Sequence, residues 1–294
     1  MSEFRRRLLM QSKNDNPILD NYLTIVALED GLTAKLSLNA CEYCVDGDGN
    51  WKTLPADTET ESINSGHTLS FRGNLTPAAS VGIGTFTVNK YYNLKGNCMS
   101  LLFGDEGKTS FSLVGKSNVF RNLFKNNDRL INVSSSFLPA TTLASICYFA
   151  MFEGCTSLTQ APVLPATILA DYCYYYMFKN CSSLVEAPQL LATELKQRCY
   201  ANMFEGCLSL VEAPQLLATT LVSLCYERMF YRCSKLNKIT MLATKISGDN
   251  CMMGWTQYVA NSGIFVKSSD LSDETIGYGN SGIPTGWTVI NYIE

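Results

Sequence analysis

Met151-Phe152-Glu153-Gly154-Cys155-Thr156-Ser157-Leu158 returns 26 residues later as Met177-Phe178-Lys179-Asn180-Cys181-Ser182-Ser183-Leu184. The Met-Phe pair returns twice more, as Met203-Phe204 and Met229-Phe230. Two columns of cysteine keep the same spacing: Cys147, Cys173, Cys199, Cys225 and Cys251, and then Cys155, Cys181, Cys207 and Cys233. Tyr148, Tyr174, Tyr200 and Tyr226 form a third column, and Leu158, Leu184, Leu210 and Leu236 a fourth. A fixed period in this range marks a solenoid, in which each unit buries its apolar face only against its neighbours.

One unit can be read residue by residue. Leu184 to Leu190 is short and apolar at Leu184, Ala187 and Leu190, a strand pattern of the leucine-rich-repeat type. Thr193, matched by Thr141, Thr167 and Thr219, offers a hydroxyl to cap a helix. Leu195, Cys199 and Met203 follow at i, i+4 and i+8, the spacing of one helix face, with Tyr200 and Phe204 beside them. Gly206, Gly154 and Asn180 stand where a left-handed closing residue is wanted, and Arg232 holds that place less suitably. Pro162, Pro188 and Pro214 stack at one position, which places them where no ladder donor is needed. The predicted unit is therefore strand, turn, short helix, turn: an α/β repeat with strands of roughly 3–5 residues. Coils about 4.8 Å apart give a rod roughly 25 Å long over about five coils.

The Phe-x-x-Cys-x-x-Leu core at 152–158 and 178–184 resembles the BspA-like leucine-rich repeats of surface proteins from Bacteroidetes and other mucosal anaerobes. The resemblance covers residues 120–255, and the unit here is a few residues longer than the family's usual one. It implies a non-catalytic role in adhesion or recognition, a host protein or glycan as partner, and a cell-surface or extracellular location. It transfers no binding residue by position.

Working outward, residues 1–16 read as a charged lead-in, and residues 17–115 as an all-β, sandwich-like domain. Leu23–Leu28, Leu32–Leu38, Cys41–Val45, Trp51–Leu54, His67–Gly73 and Ile83–Val88 read as strands, and Asn97–Gly104 as the last of them. Residues 116–258 form the solenoid, with Phe120–Leu130 as a degenerate first repeat set off by a two-residue insertion around Ser134–Ser136. Residues 259–294 form a C-terminal β cap, with Ile264–Val266 and Trp287–Ile290 as closing strands.

Composition bounds the chemistry. A net charge of −3 over 294 residues supplies no basic field for nucleic acid. There is no apolar run of transmembrane length, and Met1–Met10 has only a three-residue apolar stub, unlike a secretory signal. Missing that signal, the chain also fits a phage or prophage fibre or baseplate component. Nine of the 12 cysteines fall in the repeat columns, which favours packing as small buried residues over a disulfide framework. Cys41-Glu42-Tyr43-Cys44 has C-x-x-C spacing without a second pair and sits in a strand pattern. Asp46 to Asn50 has alternating acidic residues like a calcium loop. Trp51 stands where glycine is needed, so a hairpin turn is the better reading. One histidine, His67, leaves no serine or cysteine triad with choices, and no metal or cofactor is expected. Glu153 and Glu205 recur at a variable place, as surface residues do. A carbohydrate-active enzyme with paired carboxylates is the remaining catalytic alternative.

The repeats also serve as their own alignment. Positions that change from coil to coil include Gln160, Glu186, Glu212 and Lys238 beside the strands, and Tyr175 and Tyr176 on the other side. These six are the candidate ligand-binding residues of a non-enzymatic module. The competing reading of the two tyrosines is that they only cover the core.

Overall fold

The computed structural model describes residues 21–78 and 81–293; the lead-in over residues 1–16 lies outside the described residues. The fold is mostly β, with several sheets and few helices. In the first part, β1 (Leu23–Ala27), β3 (Cys41–Val45), β4 (Lys52–Leu54), β5 (Thr68–Arg72), β7 (Tyr92–Lys95) and β8 (Leu130–Val133) join in the order β4-β3-β5-β1-β7-β8. All neighbours are antiparallel except β7 and β8, which run parallel. A second sheet holds only β2 (Ala34–Leu36) and β6 (Phe86–Val88). Its Phe86 ring packs edge-on against Phe71 of β5, centroids 4.9 Å apart. In place of two matched layers, a broad sheet carries a small one.

Two readings of this region change. Tyr92–Lys95, passed over in the sequence, is a strand paired on both edges. Asn97–Gly104 is not a strand: it makes a one-turn helix, α1 (Ser100–Phe103), followed by 3-10 turns to Thr109. A short apolar run bounded by turns does not distinguish a buried strand from a buried helical turn.

From Asn118 onward the chain stacks on itself at the expected spacing. In the segment 146–154, Ile146, Tyr148, Ala150, Phe152 and Gly154 donate their amides to Asp171, Cys173, Tyr175, Met177 and Lys179 of the next copy. The residues between them bond back within the coil, Cys147 to Ala144, Phe149 to Ile146 and Met151 to Tyr148. The same alternation recurs at 118–126, 172–180, 198–206 and 224–232. From 146 to 154, and in the copies at 172–180, 198–206 and 224–232, every backbone N–H is thereby used, five across to the next coil and four along the same one.

The predicted helices of the α/β repeat are therefore absent; among the described residues, no α-helix lies between α1 and α2 (Asp273–Ile276). Every fourth residue is left-handed instead, as at Ile146, Ala150 and Gly154, then Tyr172, Tyr176 and Asn180. An i, i+4, i+8 pattern fits a four-residue period of linked turns as well as a 3.6-residue helix. Two turns of isolated helix are marginal in water, whereas the turn array gains five inter-coil hydrogen bonds per junction. The threonines are not helix caps; Thr141 and Thr219 carbonyls accept amides from the adjacent coil. Gly154, Asn180, Gly206 and Arg232 are left-handed as expected, but as the third such residue of each array.

Side chains follow the same period. Cys147, Tyr148, Met151, Phe152 and Cys155 are buried, as are their equivalents in the later copies. Phenylalanine rings stack in one column, Phe86, Phe124, Phe152, Phe178, Phe204 and Phe230, with centroids 5.4–5.9 Å apart. Phe120, Tyr148, Tyr174, Tyr200 and Tyr226 form a second column. Because the first column begins at Phe86, the N-terminal sheets share one core with the repeats.

On the opposite edge of each coil, single parallel bridges link Asn132 to Gln160, Gln160 to Glu186, Glu186 to Glu212 and Glu212 to Lys238. They do not lengthen into strands, because Pro162, Pro188 and Pro214 lie two residues on and lack the next donor. Thr240 occupies that place in the following coil, and there a four-residue strand forms: β10 (Lys238–Met241). It pairs in parallel with β12 (Ile264–Lys267), and β12 with β13 (Thr288–Asn291), so the closing strands continue the same ladder. A short pair, β9 (Thr220–Leu221) and β11 (Lys245–Ile246), links the last coils at their other corner.

Candidate functional site

The bridge ladder positions four of the six candidate residues. Gln160, Glu186, Glu212 and Lys238 sit in successive coils and line one continuous groove made of two adjoining hollows. The first, about 730 Å³, is largely apolar: Ala161, Pro162, Val163, Pro188 and Leu191 form its floor and walls. The second, about 640 Å³, is polar and is lined by Glu212, Gln189, Gln215, Lys238, Thr240 and Tyr292. Val185, Glu186, Ala187 and Gln189 belong to both and form the seam. Val163, Val185 and Leu191 are 51%, 49% and 44% exposed, so apolar surface faces solvent along the first hollow.

The charges are unequal in status. Glu212 Oε1 lies 2.6 Å from Lys238 Nζ, an exposed pair that neutralises the far end of the groove. Gln160 and Glu186 are exposed, and no ion pair involves the Glu186 carboxylate among the described residues. Glu186 and Glu212 are the two carboxylates nearest the seam. Both lie open to water.

Tyr175 and Tyr176 line neither hollow; they lie on the turn array. Their rings meet edge-on at 4.0 Å, and the Tyr175 hydroxyl donates to that of Tyr176 at 3.0 Å. Tyr175 also stacks on Phe149 at 5.2 Å, and Lys179 covers Tyr176 at 4.5 Å. Burial, then the bond to Tyr176, pushes the Tyr175 hydroxyl well above its usual range. Both rings are half-buried and contact each other as well as their neighbours. Around them Glu153 pairs with Lys125, and Glu205 with Lys179 and Arg228, ion pairs that tie coil to coil.

The remaining sequence candidates resolve into structural roles. All 12 cysteines are unpaired and buried. Burial pushes the Cys41 thiol up to about 12, and Cys44 is raised by the same cause. Cys155, Cys181, Cys207 and Cys233 donate their thiols to the carbonyls of Phe124, Phe152, Phe178 and Phe204, at 3.0–3.2 Å. Asp48 accepts from Asn50 within the β3–β4 turn, and Asp46 pairs with His67 at 2.6 Å. Among the described residues, no group of three or more His, Cys, Asp or Glu is placed to hold a metal. No helix among them is long and apolar enough to cross a membrane.

The spacing of the coils singles out the ladder residues but not the groove's apolar wall, Val163, Pro188 and Leu191, of which only the proline belongs to a stacked column. The signal was present in the stacked prolines, which keep the ladder open and its edge recessed. Scans of protein-family models, of curated proteins and of solved structures find nothing that matches this chain.

Proposed function

We propose that residues 116–258 form a leucine-rich-repeat solenoid of the BspA-like kind. In this reading the chain is a non-enzymatic recognition or adhesion protein that binds a host protein or glycan at a cell surface. One observation carries it: the positions that vary between otherwise matched coils, Gln160, Glu186, Glu212 and Lys238, line a single groove. The constant cysteine, tyrosine, methionine, phenylalanine and leucine columns fill the core, which leaves the ladder residues, matched at Glu186 and Glu212 and different at Gln160 and Lys238, on the side a partner can reach. Stacked rings and inter-coil amides support the solenoid.

The test is binding of the whole chain to immobilised host-matrix proteins and to a glycan array. Val185→Arg fills the groove from an exposed position, and Tyr175→Ala serves as a control on the other side. Binding that Val185→Arg abolishes and Tyr175→Ala leaves intact supports the groove. A blank screen, or binding indifferent to Val185→Arg, contradicts it.

A further inference from the structure

We infer that the groove's occupant is an extended peptide that places a lysine or arginine on Glu186 and an apolar side chain in the neighbouring hollow. The inference rests on the recognition reading above and names the class of partner. Its first support is charge: Glu212 is already matched by Lys238, which leaves Glu186, at the seam, as the carboxylate awaiting a cation. A second support is the wall beside it. Pro162, Val163, Pro188 and Leu191 offer an apolar slot with no aromatic ring, and among the described residues Tyr292 is the only aromatic one lining either hollow. Sugars are held by aromatic faces and dense polar contacts, whereas valine- or leucine-sized side chains suit this slot.

Dimensions agree. From Asn132 to Lys238 the ladder takes four steps, roughly 19 Å at the usual strand spacing, which is the length of about six extended residues. Glu186 itself lines the apolar hollow, so the base and the apolar side chain must be near neighbours on one face of the peptide, as i and i+2 of an extended chain are at roughly 7 Å. The pattern sought is therefore apolar, any residue, basic. Backbone groups of such a peptide have the Gln160, Gln189 and Gln215 amides within the groove to bond to.

A display library of random linear heptapeptides, panned on the whole chain and on Glu186→Lys, tests this. The expected result is enrichment of Lys or Arg two positions from Val, Leu or Ile, with Asp or Glu replacing the base on Glu186→Lys. A synthetic peptide from the first pool should lose at least about fivefold in affinity on Glu186→Lys. Enriched peptides without that charge reversal overturn the inference. So does an absence of enrichment alongside glycan binding that Val185→Arg abolishes, and then the recognition groove stands with a different ligand. No peptide enrichment and no Val185→Arg-sensitive binding of any kind overturns both.

Discussion

The thiol of Cys207 donates to the carbonyl oxygen of Phe178, 3.1 Å away in the preceding coil. That carbonyl already accepts the amide of Cys181, so the sulfur occupies its second lone pair. The position wants a small apolar side chain that can also donate, and cysteine alone is both. Replacing Cys207 with alanine should cost about 1–3 kcal/mol through the cavity and the lost donor. Cys207→Val, which restores volume but not the donor, should recover only part of this in urea unfolding. Full recovery by valine would show that the thiol contact contributes nothing.

Alkaline pH should unfold the protein early. Burial pushes the thiols of Cys181, Cys199 and Cys207 well above their ordinary value of 9.0. The folded chain therefore holds protons that the unfolded chain releases. Stability from these groups is fully present below pH 9.0 and is lost as pH rises beyond it, by up to about 1.4 kcal/mol per pH unit for each thiol. Buried Tyr174 and Tyr226, raised by the same cause, steepen the fall above 10.0. Urea midpoints measured across pH should be level near neutrality and drop sharply past 9.0. A midpoint that stays level through pH 10 would argue against thiol burial.

Gly206→Ala should destabilise by about 1–3 kcal/mol. The residue is left-handed at φ +74, and an added Cβ would stand 2.4 Å from Asn180 Oδ1 in the coil before. Gly154 meets Asn126 in the same way, so asparagine and glycine alternate down this column. A double variant, Gly206→Ala with Asn180→Gly, should recover the steric part. Thermal melts that show no recovery would mean the backbone conformation, not the contact, sets the cost.

Trp255→Ala should be the most damaging single change in the repeats, about 3–5 kcal/mol. Met252 and Thr256 stand where earlier coils carry tyrosine and phenylalanine, and the one indole closes both ring columns. It lies 6.2 Å from Tyr226 and 6.1 Å from Phe230, and its Nε1 donates to the Gly282 carbonyl. Calorimetry should show a lower melting temperature, and Trp255→Phe should retain about half of the stability. A melt unchanged by Trp255→Ala would refute this closing role.

Spacing made the stack legible before any coordinate: cysteine, tyrosine and leucine columns 26 residues apart could only repeat a structure. The hairpin at 46–51 was legible because Asp-Gly turns need special backbone angles that few residues adopt. The span from Leu195 to Phe204 reads as a helix and is a turn array, because period 4.0 and period 3.6 nearly coincide over eight residues. The deciding signal is backbone conformation at Ile146, Tyr172, Arg198 and Leu224, side chains with nothing in common that would announce a left-handed residue. At the site, Gln160, Glu186, Glu212 and Lys238 stood out as the unmatched positions of matched coils. Tyr175 and Tyr176 stood out equally, and their contacts with each other and with Phe149 could not be read from spacing.

Stacking in 26-residue register is the claim on which the core, the ladder and the groove all depend. Spin labels at Gln160 and Thr288, both exposed, sit five ladder steps apart through Glu186, Glu212, Lys238 and Ile264. Pulsed electron-electron resonance on that doubly labelled chain should give one narrow distance near roughly 24 Å. A broad distribution, or a distance far from that value, would contradict the stack.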